Sequence, residues 1–194
     1  MAKLYFYYSA MNAGKTTTLL QSEYNYRERG METLLFIPNF DDRYEKGHIV
    51  SRIGLKTKAI PFGEDFNFYE FIEEKLKVPN NNIRCVLVDE AHFLKKQHVA
   101  QLSDVSDFLG VPVLTYGLRT DFLGEPFEGS KYLLAHAEEL CEIKPICHCG
   151  RKATMNARID EQGHMVTVGA QVEIGGNERY VSLCHRHFKS QKTA

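Results

Sequence analysis

KLYFYYSAMNAGKTTTLL, residues 3–20, decides how the rest of the chain is read. Residues 4–8 are apolar and aromatic, as a strand covered on both faces is. A Gly-Lys-Thr turn follows, and a helical pattern begins at Lys15. Strand, turn and helix in that order build a cradle for a nucleoside triphosphate. Gly14 lets backbone N–H groups close around phosphate oxygens, Lys15 reaches the β- and γ-phosphates, and the Thr16 hydroxyl is a ligand for Mg²⁺. The general pattern G-x-x-x-x-G-K-[ST] asks for glycine at position 9, where this chain has Ser9.

A phosphate loop needs a second strand that ends in a carboxylate for the metal. Residues 84–93, RCVLVDEAHF, offer one. The run 85–88 suits a central parallel strand, and ligands of open α/β sheets bind at the carboxyl ends of such strands. Asp89 is then the carboxylate that holds Mg²⁺ through water, and Glu90 is placed to act as general base. Read as letters alone, Asp89, Glu90, Ala91 and His92 also spell the DEAH string of a helicase family. That reading needs two RecA-like domains, more than 194 residues hold, and a net charge of −1 gives no excess of positive charge for a phosphate backbone. No nucleic-acid partner is expected.

Length suits one medium domain and a small appendage. The composition, 43% hydrophobic and 25% charged, is that of an ordinary globular protein. No apolar run approaches the roughly 20 residues of a membrane span, and the N-terminus shows no cleavage pattern of a signal peptide. A cytoplasmic location without membrane attachment is expected, with the five cysteines present as thiols or metal ligands.

The coarse order is strand 3–8, helix 15–29, strand 32–37, a polar loop 39–52 and a less regular segment 55–62. Helix 67–77, strand 84–88, helix 95–109, strand 111–116, a loop 118–131 and a strand 139–144 follow. Strand-helix alternation through residue 116 predicts a parallel sheet with right-handed crossovers. Beyond residue 145 the pattern changes to short β-like runs and metal-type residues.

Four of these are Cys147 and Cys149 in one turn and Cys184 and His187 in another, separated by residues 150–183. Two close pairs of sulfur and nitrogen ligands make a closed tetrahedral Zn²⁺ site, structural because no coordination position is left open. His148 and His185 are adjacent alternatives, and buried thiols or a redox pair are the competing readings. Cys85 and Cys141 lie in strand-like runs and read as core.

The segments YYSAMNAGKT, FDDRY, VLVDE, YGLRTDFLGEPF, ICHCGRKA and EIGGNERYVSLC resemble the type II thymidine kinases over nearly the whole chain. The Ser-Ala-Met-Asn-Ala-Gly-Lys form is similar to that of bacterial members. The resemblance implies an α/β fold: a RecA-like P-loop parallel sheet flanked by helices, residues 1–144, and a small C-terminal zinc-ribbon-like β lobe, residues 145–194. It also implies an ATP-dependent thymidine kinase, homotetrameric, with dTTP as feedback inhibitor.

Residue roles follow from the same resemblance. Ser9, Ala10, Met11, Asn12, Ala13, Gly14, Lys15 and Thr16 would hold ATP-type phosphates, with Asp41, Asp42 and Arg43 nearby and Asp89, Glu90, Ala91 and His92 on the facing strand. Arg43 would stabilise charge on the transferring group. Met11, Leu118, Phe122 and Phe127 would wall the thymine pocket. Gln171, Val172, Glu173, Ile174 and Gly175, with Tyr180, would close over the base. Two positions depart from the family: His92 stands where glutamine is usual, and the Cys147-His148-Cys149 turn is one residue short. An imidazole at 92 keeps a hydrogen-bonding group there and titrates near pH 6.5. Two other readings compete, a helicase-like ATPase and a non-catalytic zinc-ribbon module that binds nucleotide.

Overall fold

The first strand of the computed structural model, β1 (Leu4–Ser9), runs into the turn at 10–14 and then α1 (Lys15–Glu28). Residues 1–40, 47–51, 54, 56–171 and 179–193 are described. β2 (Glu32–Pro38) follows, then β3 (His48–Val50), β4 (Lys56–Lys58), β5 (Ile60–Phe62), α2 (Phe68–Leu76) and β6 (Ile83–Val88). A 3₁₀ turn at Ala91–Phe93 leads to α3 (Lys96–Phe108), β7 (Val113–Leu118), α4 (Glu128–His136) and β8 (Glu139–Ile143). The remainder forms β9 (Met155–Arg158), β10 (Tyr180–Leu183) and the short α5 (His185–Lys189).

Six strands pair in the order β5-β2-β6-β7-β1-β8, every pair parallel. The α/β class read from strand-helix alternation is the one observed. Parallel strands need crossovers, and the crossovers cover both faces, so the central strands carry apolar residues on each side. β6 divides its side chains accordingly. Val86 and Val88 join Leu4, Phe6 and Phe36 under α2, α3 and α4, while Cys85 and Leu87 join Leu19 and Leu20 of α1 with Tyr116. Phe36 is the centre of an aromatic cluster, with Phe66, Phe68 and Phe71 at 5.0–5.8 Å between ring centroids.

Register brings the working ends together. Ser9 lies beside Leu118, Val88 beside Thr115, and Phe36 beside Val88. The carboxyl ends of β1, β2, β6 and β7 therefore share one rim. β9 and β10 pair antiparallel beside a third core of Cys147, Ala153, Ala157, Leu183 and Cys184.

The structure corrects the sequence reading in three places. The loop expected at 118–131 ends in α4, which begins at Glu128. The expected strand 111–116 runs two residues later, as β7. The polar loop 39–52 and the segment 55–62 contain β3, β4 and β5, of which β5 joins the main sheet beside β2.

Candidate active site

The phosphate loop is shaped by two left-handed residues, Asn12 (φ 61) and Gly14 (φ 81). Gly14 caps α1 without a side-chain hydrogen bond. A Cβ there would meet nothing within 4 Å, so φ demands the glycine and the space above the loop is open. The first N–H groups of α1 face that space, where the helix dipole favours an anion. Lys15 is buried and folds back across the loop, its Nζ donating to Ser9 Oγ at 3.0 Å and to the Ala10 carbonyl at 3.4 Å.

Thr16 connects the loop to β6. Its Oγ1 donates to Asp89 Oδ2 at 3.1 Å, while Asp89 Oδ1 accepts the Glu90 N–H at 2.9 Å. Asp89 is 3% exposed. Loss of water pushes its carboxyl up to about 7, helped by the neighbouring Glu90 charge and opposed by the Glu90 N–H, Lys15 and Thr16. A divalent cation at this rim would meet a carboxylate and a hydroxyl already side by side.

Glu90 itself is left-handed (φ 49, ψ 39), unusual for a non-glycine residue and costing on the order of 1–3 kcal/mol. The turn behind it is clamped from two sides. A Cβ on Gly117 would lie 2.8 Å from the His92 backbone nitrogen, and one on Gly129 would run into the Ala91 carbonyl. The Leu118 N–H lies 3.2 Å from His92 Nδ1, and Glu90 Oε2 is 3.5 Å from the same nitrogen. The imidazole is 3% exposed, packed between Phe93 and Phe127. The hydrogen-bonding group expected at position 92 is present, directed at β7.

Of the residues expected to wall or cover the acceptor pocket, Phe122, Tyr180 and Gln171 meet side chains that the sequence did not single out. Met11 and Leu118 are half-buried at the ends of the phosphate loop and β7, and Phe127 packs on His92. Phe122 is 1% exposed, and Arg158 covers its ring with the guanidinium carbon 3.8 Å from the centroid. Arg158 Nε donates to the Tyr180 hydroxyl at 3.0 Å and Nη2 to the Ala170 carbonyl at 2.7 Å. Gln171 donates to Asp121 Oδ2 at 3.0 Å, and Asp121 Oδ1 accepts the N–H groups of Leu123 and Glu125. Phe122, Tyr180 and Gln171 thus meet through Arg158 and Asp121. No spacing rule marks Arg158, whose role depends on which strands pair; Asp121 lay inside the quoted YGLRTDFLGEPF. Asp41, Asp42, Arg43, Val172, Glu173, Ile174 and Gly175 lie outside the described residues.

Cys147, Cys149, Cys184 and His187 present ligand atoms that all lie within 4.8 Å of one another. Cys149 and Cys184 sulfurs are 3.9 Å apart, and Cys147 Sγ is 3.4 Å from His187 Nδ1. Tetrahedral zinc bonds would give about 3.8 Å and about 3.6 Å for such pairs. Burial pushes the Cys147 thiol up, but the Cys149 and Cys184 N–H groups and the His187 ring outweigh it and bring it to about 6. The Cys149 thiol is raised: the Arg151 N–H acts to lower it, against burial and the two neighbouring sulfurs. Three sulfurs and an imidazole nitrogen this close together fit a metal ion.

A Gly-Lys-Thr loop between a parallel strand and a helix, facing a strand-end Asp-Glu pair, defines a P-loop nucleotide-binding protein. The family model for thymidine kinase matches residues 2–188. A thymidine kinase of Coxiella burnetii is 61% identical over 189 residues, which cover 97% of this chain and 96% of that protein. One of Legionella pneumophila (strain Lens) is 60% identical over 97% of this chain and 90% of its own. One of Haemophilus influenzae (strain Rd) is 57% identical, covering 98% of both. The chain belongs to the thymidine kinase family and is an ATP-dependent phosphotransferase of its bacterial type. The four letters DEAH carry no helicase kinship. Among the described residues, no helix is long and apolar enough to cross a membrane.

Proposed function

We propose that the chain moves the γ-phosphoryl group of ATP to the 5′-hydroxyl of thymidine or deoxyuridine, giving the nucleoside monophosphate for pyrimidine deoxynucleotide salvage. What supports this is the match to thymidine kinases over nearly the whole chain, together with the 3.1 Å Thr16–Asp89 hydrogen bond that joins the phosphate loop to the strand end preceding Glu90. Residues 9–16 hold the triphosphate through backbone N–H groups and Lys15. Thr16 and Asp89 would hold Mg²⁺, which would supply neutralisation of the phosphate charge. Glu90 accepts the proton of the attacking hydroxyl, a step worth about 10²–10⁴-fold. Arg43 meets charge on the transferring group.

Acceptor choice rests on Met11, Leu118, Phe122 and Phe127 as apolar walls and on residues 171–175 with Tyr180 as cover. A closed site that leaves mismatched polar edges unpaired discriminates strongly between bases. Residues 1–144 form the nucleotide-binding domain and 145–194 a lobe stapled by Zn²⁺ on the three cysteines and His187. Homotetrameric assembly, dTTP as feedback inhibitor and a cytoplasmic location follow from the family resemblance. Incubation with MgATP and a panel of nucleosides tests the reading: product with thymidine or deoxyuridine supports it. ATP binding without any nucleoside monophosphate points instead to a non-catalytic module.

A further inference from the structure

Both polar groups of the Met11 peptide are taken by the small lobe. Asn156 Oδ1 on β9 accepts the Met11 N–H at 2.7 Å, and Ser182 Oγ on β10 donates to the Met11 carbonyl at 2.6 Å. Asn156 and Ser182 are themselves paired across the β9–β10 hairpin. The other half of the Asn156 amide turns the opposite way, its Nδ2 donating to the Thr120 carbonyl at 2.8 Å. Thr120 opens the turn that carries Asp121 and Phe122, bridging to Pro126 at its far end. The Asn156 side chain is 2% exposed, and only one orientation of its amide satisfies both partners. One buried amide therefore ties the phosphate loop to the loop walling the acceptor pocket.

We infer that Asn156 and Ser182 are positioning residues, which set the distance between donor phosphate loop and acceptor loop through the Met11 and Thr120 backbones. The inference rests on the kinase reading above. Neither side chain needs to touch a substrate. An aspartate at 156 would keep the Met11 bond but place a carboxylate against the Thr120 carbonyl, and alanine would lose both bonds. Misplacing reacting groups by about 1 Å costs about 10²-fold in rate, so the effect falls on the transfer step more than on binding of either substrate.

Single-turnover phosphoryl transfer, with MgATP and thymidine saturating, reads this out. Its rate constant does not depend on the folded fraction, which affects only the amplitude. Asn156→Ala and Asn156→Asp should slow it about 10²-fold and Ser182→Ala about tenfold, with Ser182→Thr restoring it. Separately measured affinities for MgATP and thymidine should change less than threefold. Rate constants within threefold of the unaltered protein in every folded variant overturn the inference, as does a loss confined to amplitude. Absence of product from the unaltered protein is a different result, and it removes the kinase reading itself.

Discussion

Arg158 lies over Phe122, its guanidinium carbon 3.8 Å from the ring centroid. Such a contact is worth about 2 kcal/mol or more when desolvated, and Arg158 is 6% exposed. The same guanidinium donates to Tyr180 and to the Ala170 carbonyl. Stacking and a two-way fork are available to arginine and not to lysine. Arg158 thus joins the acceptor loop, β10 and the segment that leads into residues 172–175.

Arg158→Ala should raise the thymidine KM about tenfold, on the scale of one charge-assisted hydrogen bond, while the MgATP KM stays within twofold. Arg158→Lys should recover little of the loss. Steady-state kinetics with each substrate varied in turn check this. Equal changes in both KM values would show that Arg158 supports the fold as a whole and not the acceptor side.

Glu90→Gln keeps the shape of the side chain and removes its basicity. Turnover should fall about 10²–10⁴-fold with ATP affinity nearly unchanged, as measured by calorimetric titration beside steady-state rates. A kcat close to that of the unaltered protein would sink the assignment of Glu90 as base.

What could be read from the sequence was local. Residues 3–20 announce a strand, a turn and a helix because each signal lies within a few positions of the next. Asp89 and Glu90 were legible because strand ends in parallel sheets face ligands. α4 was not: Gly124, Pro126 and Gly129 all read as loop signals. Gly129 is a helix residue nonetheless, since its backbone presses on Ala91, His92 and Leu94 carbonyls where no Cβ fits. A glycine demanded by a distant contact looks, in sequence, like a breaker. Asn156, Ser182 and Arg158 were invisible for the same reason. Their partners lie at sequence distances that only the paired β9–β10 hairpin brings together.

The Cys₃His group should bind one Zn²⁺ per chain, measurable by elemental analysis of the purified protein. Cys147→Ser and Cys184→Ser should each lose it. Because metal binding to such sites is coupled to folding, both variants should also become sensitive to proteolysis between residues 145 and 193. Full metal content in either variant would mean that a neighbouring group, His148 or His185, serves in place of the replaced cysteine.

Burial makes the ionised form of Asp89 costly to the fold. Its carboxyl is raised from the ordinary range to about 7 in the fold, against about 3.9 in an unfolded chain. Between those values the folded protein holds a proton that the unfolded chain releases, so stability falls as pH rises through the window and the loss is complete above it. Asp89→Asn removes the buried charge yet can still meet Thr16 and the Glu90 N–H. Without added magnesium, Asp89→Asn should be more stable than the unaltered protein at pH 8, by about 1–3 kcal/mol, with the gap closing near pH 4. Magnesium-dependent turnover should collapse in the same variant. Urea unfolding at pH 4, 6 and 8 measures the first effect, and a gap that does not widen with pH would show that Asp89 carries no such cost.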